Sequence, residues 1–555
     1  MKQLLFTILC TLYVSLPVFS QTGNKIKKQI PFMTEAPKLV VGIVVDQMRY
    51  DYLTRFYSQF GEGGFKRLMN DGFQCANNHF NYIPTYTGPG HASVFTGTTP
   101  QNHGIISNYW YNKFEKQQVY CAGDPSVAVI GSDSEAEKMS PHRMKTTTFA
   151  DQNRLHTQMR GKSVGIAIKD RGAILPAGHA ANAAYWFRGK EEGNWITTSY
   201  YLNKLPKWVS NFNTSRKVDT YLKTWNSLYD LKTYIQSGPD DSPYENGYKG
   251  KNKPTFPYDL AKLKDENEGY DIIKYTPYGN SLTADFAIAA LKGEDLGTDA
   301  ITDVLTVSFS STDYVGHNFG VNSKEIQDTY LRLDKDLGRL LNALDKQVGK
   351  GKYTLFLTAD HGAVHVPGYL KSQKIPAGYF NADSLKTDIV NFTKQKFGLD
   401  NLIEEVDNDQ VFFDYDRIAT SNIATTTIED AIAEFLLKKD KINKVFTRSQ
   451  LESTEYVNGI ASLIQNGYHQ KRSGDVIFVM DPATIAYPTK GSTHGSGLNY
   501  DTHVPLLFYG KGINKGKTYK KTHIIDIAPT ISAMLGIAFP SGATGYVLPF
   551  VFTIE

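Results

Sequence analysis

The sequence predicts an α/β protein, doubly wound around a mostly parallel sheet and carrying inserted cap segments. Short apolar runs bounded by turn residues recur along the chain, the pattern of strands buried on both faces. Amphipathic segments of helical period lie between them, and strands alternating with helices imply parallel pairing. The 555 residues are 41% hydrophobic and 21% charged, ordinary globular usage that sustains a core and excludes wholesale disorder.

Taken in chain order, residues 1–20 stand apart from the fold. Lys2 precedes a nearly continuous apolar run from Leu4 to Val18, and Val18-Phe19-Ser20 has the character of a cleavage site before Gln21. The stretch reads as a secretory signal peptide, which makes the protein periplasmic or secreted. Ser15 and Pro17 interrupt the ~18–20 apolar residues that a membrane anchor requires, so none is expected after signal removal. Residues 21–555 are then one domain, with Cys75 and Cys121 as its cysteines. In an exported protein that pair most simply forms one disulfide.

The expected core strands are residues 39–45, 163–168, 304–309, 353–357, 476–480 and 504–509. Ile326, Tyr330, Leu333, Leu337, Leu340 and Leu344 recur three or four apart, with Ser323 as N-cap and Gly349 past the end. Leu282, Phe286 and Ala289 mark another helix directly before the strand at 304. Two stretches, 189–275 and 363–475, break the rhythm and read as insertions on strand ends, where α/β proteins build active-site walls. The 34 tyrosines exceed what a core needs and suggest surface loops built around tyrosine. A net charge of +4 is too balanced for a nucleic-acid partner.

The chemistry-bearing residues follow the strands. Asp46 ends the first. Asp313, trailed by His317, follows the strand at 304–309, and Asp360-His361-Gly362 follows the strand at 353–357. His494 sits in the small-residue loop Gly491-Ser492-Thr493-His494-Gly495-Ser496-Gly497. In a parallel sheet, residues just past the C-terminal strand ends converge on one crevice. Three Asp and three His there can hold two divalent ions, and mixed imidazole and carboxylate ligation favours zinc. Singly, each residue is as well explained as a turn or N-cap; their placement on successive strand ends points to metal. Thr87, in Thr87-Gly88-Pro89-Gly90-His91, opens a helix-compatible run, where backbone N–H groups favour a phosphate. Its hydroxyl is either an N-cap or a nucleophile, and metal coordination would activate it.

Together, Asp46, the T-G-P-G-H segment, Asp313-x-x-x-His317, Asp360-His361-Gly362, T-H-G at His494 and the late segment Asp526-Ile527-Ala528-Pro529-Thr530 resemble the alkaline phosphatase superfamily. The resemblance spans nearly the whole chain after residue 20 and is strongest to its flavobacterial, PafA-type branch of periplasmic zinc phosphomonoesterases with a threonine nucleophile. It implies an alkaline-phosphatase-like domain over 21–555, acting on small-molecule phosphate monoesters through a covalent phosphothreonine. Asp46, Asp360 and His361 would hold the zinc that binds Thr87, and Asp313, His317 and His494 the second zinc. Lys169-Asp170-Arg171 matches the Lys-x-Arg that this branch aims at phosphate oxygens, and Asn108 matches its phosphate-contacting asparagine.

Thr87-Gly88-Pro89-Gly90-His91 departs from the C/S-x-P-x-R segment of sulfatases, and a two-metal mutase would offer serine. Two other readings remain. A nucleotide pyrophosphatase-type phosphodiesterase shares the two zincs, Thr and Asn but lacks the Lys-x-Arg pair. An exported protein that binds phosphate compounds without turnover would not require Thr87. His91, His365 and His503 are expected in structural hydrogen bonding. The glycosylation spacing at Asn213-Thr214-Ser215 is set aside. The oligomeric state is left open, with a monomer favoured.

Overall fold

The computed structural model describes residues 35–134 and 136–553, and the expected signal peptide lies outside them. Its frame is a ten-stranded sheet. In chain order the strands are β1 (Leu39–Val45), β2 (Phe73–Cys75), β3 (Val129–Ile130), β4 (Ser163–Ala167) and β5 (Ala183–Arg188). They continue with β6 (Asn194–Thr198), β7 (Asp303–Phe309), β8 (Tyr353–Thr358), β9 (Leu506–Gly510) and β10 (Gly516–Thr518). Their order across the sheet is β10-β2-β9-β8-β1-β7-β4-β5-β6-β3.

The middle of the sheet, β8-β1-β7-β4-β5, is parallel. Every residue of β1, β4, β7 and β8 is buried, as expected for strands covered on both faces. β1 pairs with β7 from Leu39↔Asp303 to Val45↔Phe309 and with β8 from Leu39↔Tyr353 onward. β1 and β7 end level and β8 one residue earlier, so by register Asp46, Ser310 and Asp360 leave the sheet side by side. The helix Lys324–Leu344 forms where its period predicts it, and the Ser323 hydroxyl accepts from Ile326 N at 3.1 Å. The helix Pro277–Gly293 precedes β7.

Several expectations are corrected. β9 runs antiparallel to β8, and residues 476–480 do not join the main sheet at all. They form the strand Val476–Met480 of a separate four-stranded sheet, between Gln410–Phe413 and Ile442–Thr447. Burial on two faces does not distinguish the two sheets, because this strand too is covered twice. Val476 and Phe478 pack with Ile428, Ile432 and Leu436, while Ile477 packs with Leu451, Ile464 and Tyr468.

Cys75 and Cys121 are both free, and they lie in different apolar clusters. An even cysteine count says nothing about where the chain places each one. Burial pushes both thiols up to about 12. The tyrosines of 189–275 are largely anchors rather than exposed loop residues. Tyr234 OH donates to Asp328 Oδ1 at 2.5 Å, and Tyr258 OH donates to Glu325 Oε1 at 2.6 Å. Among the described residues no helix is long and apolar enough to cross a membrane.

Candidate active site

All but one of the site residues sit at or near the end of an element; His494 lies in the irregular loop before the helix Asn499–Thr502. Asp46 follows β1, and its amide donates to Phe309 O of β7 at 3.1 Å. The chain leaving β7 enters the helix Ser311–Phe319, which places Asp313 in its first turn and His317 one turn later on the same side. Asp360 and His361 follow β8, and Lys169 lies between β4 and the helix Asp170–Ala177. Thr87 is the first residue of the helix Thr87–Thr96, whose N-terminus faces the same crevice. Asp46, Asp360 and His361 are fully buried, and Thr87, Asp313 and Lys169 nearly so.

Two groups of metal-ligand type emerge. Ligand atoms of Asp46, Asp360 and His361 lie within 4.8 Å of one another, as do those of Asp313, His361 and His494. The first is the set expected beside Thr87. The second differs from expectation in two respects: His361 belongs to both groups, and His317 falls outside the tighter cluster. His317 nevertheless places Nε2 3.1 Å from Asp313 Oδ1.

The hydrogen bonds decide what these groups can hold. His361 Nδ1 lies 3.0 Å from Gly362 O, His494 Nδ1 2.7 Å from Thr85 O, and His317 Nδ1 2.7 Å from Ser492 O. A carbonyl only accepts, so Nδ1 carries the proton in each ring. Burial lowers the pKa of His361, and burial with His361 and His317 nearby lowers that of His494 further, so both are neutral at pH 7. Their Nε2 lone pairs then face carboxylates: His361 at 3.5 Å from Asp46 Oδ1 and 3.4 Å from Asp360 Oδ2, His494 at 3.7 Å from Asp313 Oδ1. Lone pair against lone pair repels unless a cation lies between them. Asp46 Oδ1 and Asp360 Oδ2 are also buried without a hydrogen-bond partner. The donor set fits divalent metal.

Charge distribution agrees. Burial and the neighbouring Asp360 push the Asp46 carboxyl well above its usual range, despite Lys169. Burial opposes ionisation of Asp313 as well, but His317 and Lys169 hold it well below that range. A cluster that cannot ionise all its carboxyls is short of positive charge. The local cation is Lys169, whose Nζ lies 2.7 Å from Asp46 Oδ2 and 2.5 Å from Asp313 Oδ2. Burial alone would depress its pKa, and Asp313 and Asp46 more than offset that.

Thr87 Oγ1 lies 3.4 Å from both Lys169 Nζ and His361 Nε2. Asn108 is brought alongside, its Oδ1 accepting from Gly88 N at 2.7 Å. Arg171 is held beside Tyr120, whose OH accepts from Nη1 at 3.1 Å, while its buried Nε has no partner. Tyr120 in turn donates to Asp170. Of the histidines expected in structural hydrogen bonding, His91 meets Thr87 O and Ser308 Oγ and places Nδ1 3.3 Å from Asp360 Oδ2, His365 meets Asn322, and His503 meets Ala76 O.

Gln47 joins the site without a motif to announce it. Its amide donates to Asp360 Oδ1 at 3.1 Å and its Nε2 to Asp313 Oδ1 at 2.7 Å, tying the two carboxylate groups together. Its only sequence signal is its place next to Asp46. A positive φ of 63° turns the backbone for this double contact.

Residues 40–504 match the family described as type I phosphodiesterase / nucleotide pyrophosphatase. The chain belongs to that family. One relative, named alkaline phosphatase PafA, from Elizabethkingia meningoseptica, is 46% identical over 92% of this chain and 93% of its own. Another, from Myroides odoratus, carries the name calcium-transporting ATPase and is 46% identical over 92% of this chain and 94% of its own. Among solved structures, that of wild-type alkaline phosphatase PafA is 44% identical, covers 94% of this chain and all of the other, and superposes with a TM-score of 0.90. The family and the site thus agree on a phosphate-ester hydrolase.

Proposed function

We propose that this protein is an exported alkaline phosphatase, hydrolysing phosphomonoesters through a phosphothreonine at Thr87 with the aid of two zinc ions. The observation that carries the reading is Thr87 Oγ1 at 3.4 Å from Lys169 Nζ and from His361 Nε2, at a helix N-terminus between two carboxylate–imidazole groups. The PafA relatives, similar along nearly their whole length, support it.

Asp46, Asp360 and His361 would hold one zinc, and Asp313, His317 and His494 the other. When bound, the metals supply Lewis acidity toward the Thr87 hydroxyl and the leaving oxygen. The chain does the rest. The N-terminus of Thr87–Thr96 presents backbone N–H groups to the phosphoryl oxygens, and the Lys169 ammonium adds a charge beside the attacking hydroxyl. Asn108, held at Gly88 N, and Arg171, two residues after Lys169, would donate to the remaining oxygens. Thr87 gives up its hydroxyl proton to solvent as Oγ forms the bond to phosphorus and the bond to the leaving oxygen breaks, and the leaving oxygen takes a proton from solvent to depart as the alcohol. Water then attacks phosphothreonine: its oxygen bonds to phosphorus, the P–Oγ bond breaks, and one of its protons passes to Thr87 Oγ as phosphate is released.

A phosphodiesterase reading draws on the family description. Lys169 and Arg171 favour the monoester, because its dianion offers one more charged oxygen than a diester. Two in-line steps give net retention at phosphorus, so hydrolysis of a chiral phosphate should retain configuration. Thr87→Ala should remove most of kcat. Inversion would mean direct attack by water and would end the covalent mechanism.

A further inference from the structure

Among the described residues, two bonds hold Asn108 on its own side, Gly88 N to its Oδ1 at 2.7 Å and Cys121 N to its carbonyl at 2.8 Å. The residues flanking it are held from outside the main sheet. In the separate four-stranded sheet, Ile403–Asp407 pairs with Gln410–Phe413, and Asp407 faces Gln410. The connection is the two-residue turn Asn408-Asp409, with φ of 52° and 59°, the left-handed pair of a type I′ hairpin.

The Asn408 side chain straddles Asn108. Its Oδ1 accepts from Ser107 Oγ at 2.8 Å and its Nδ2 donates to Tyr109 O at 2.8 Å. Asp407 Oδ2 orients the amide at 2.9 Å and also accepts from Gln118 Nε2 at 3.2 Å. Farther along, Tyr111 packs edge-on to Phe412, and Lys113 pairs with Asp475 at 3.0 Å. The inserted sheet therefore grips the strands Tyr109–Asn112 and Gln117–Tyr120 and reaches the site itself through one carboxamide.

We infer that Asn408 is a positioning residue for phosphoryl transfer: it fixes the path of residues 107–109, so that the Asn108 carboxamide stays aimed at the phosphate. The inference rests on the reading that Asn108 contacts the phosphoryl group. It also gives the inserted sheet a task, as a brace for one wall of the active site.

A double-mutant cycle tests it. Asn408→Gly removes both hydrogen bonds yet keeps the turn, since glycine takes positive φ freely. It should lower kcat/KM for p-nitrophenyl phosphate about tenfold, the scale of one charge-assisted hydrogen bond. Asn108→Ala should reduce it at least as much, and adding Asn408→Gly to it should cost nothing further. Ser107→Ala repeats the test without touching the turn and should give a smaller loss that also vanishes in the Asn108→Ala background. Losses that multiply in the double variants, or an unchanged kcat/KM in Asn408→Gly, would overturn the proposal. An unchanged rate in Asn108→Ala alone would sink the phosphate-contact reading, and the brace with it.

Discussion

A methyl group at position 90 would lie 2.7 Å from Asp360 Cβ and closer still to the Asp360 carbonyl oxygen. This is why the segment after Thr87 carries glycine there: the helix backbone passes directly against the residue that should hold the first metal. Gly90→Ala would gain up to about 1 kcal/mol of helix propensity and lose it to the displaced Asp360. Zinc affinity should fall at least tenfold, measured by competition with a chromophoric chelator, while affinity equal to wild type would contradict this account of Gly90. The T-G-P-G-H segment, the strand-end aspartates, His317 and His361 were legible in sequence because each sits close to a recognisable strand or helix, and His494 because of its small-residue loop. Gln47 and Asn408 were not. Their work depends on Asp313 and Tyr109, each hundreds of positions away, and on backbone turns that no local pattern announces.

At the scale of elements, the parallel strands were readable because both-face burial leaves unbroken apolar runs. The same signal could not tell β1 from Val476–Met480, which is buried twice within an inserted sheet. Nor could it show that β9 runs backwards. The tyrosine-rich insertion hides a further feature where it packs on the helix Lys324–Leu344. Glu245 Oε2 and Glu325 Oε2 are buried without partners. Burial and then Glu325 push Glu245 up to about 10, and burial pushes Glu325 up to about 8. Both values are raised, so between the ordinary value of 4.5 and these limits the folded protein binds more protons than the unfolded chain. The stability these two groups contribute is therefore fully present below about 4.5 and is lost as pH rises toward 8 and 10. Glu245→Gln keeps the shape without the ionisation. Its Tm should exceed that of wild type by an amount that grows from pH 5 to pH 9, reaching about 2 °C or more. A difference that ignores pH would contradict the buried, proton-holding pair.

At the scale of the whole molecule, one sheet makes the site. Neighbouring ends of β1, β7 and β8 deliver Asp46, Asp313 and Asp360, and the loop before β9 adds His494. Convergence was legible from topology alone, but His361 standing in both ligand groups was not, because that depends on side-chain reach. Metal should bind only the folded chain, so purified protein should carry close to two zinc ions per molecule, and chelation should lower its Tm by several degrees and abolish activity that zinc restores. Full activity without metal would end the two-zinc proposal.

The central claim, that the site is built for a phosphomonoester, is tested most directly by substrate preference. Lys169 and Arg171 should act through the oxygen that a diester lacks. The measurement is kcat/KM for p-nitrophenyl phosphate and for a p-nitrophenyl diester, in wild type and in the Lys169→Ala/Arg171→Ala variant. Removing one charge-assisted hydrogen bond from the transition state costs about 1.5–3 kcal/mol, roughly ten- to a hundredfold in rate. Wild type should strongly prefer the monoester, and that preference should collapse in the variant because monoester turnover falls far more than diester turnover. Equal losses on both substrates would contradict the claim and put the phosphodiesterase reading ahead.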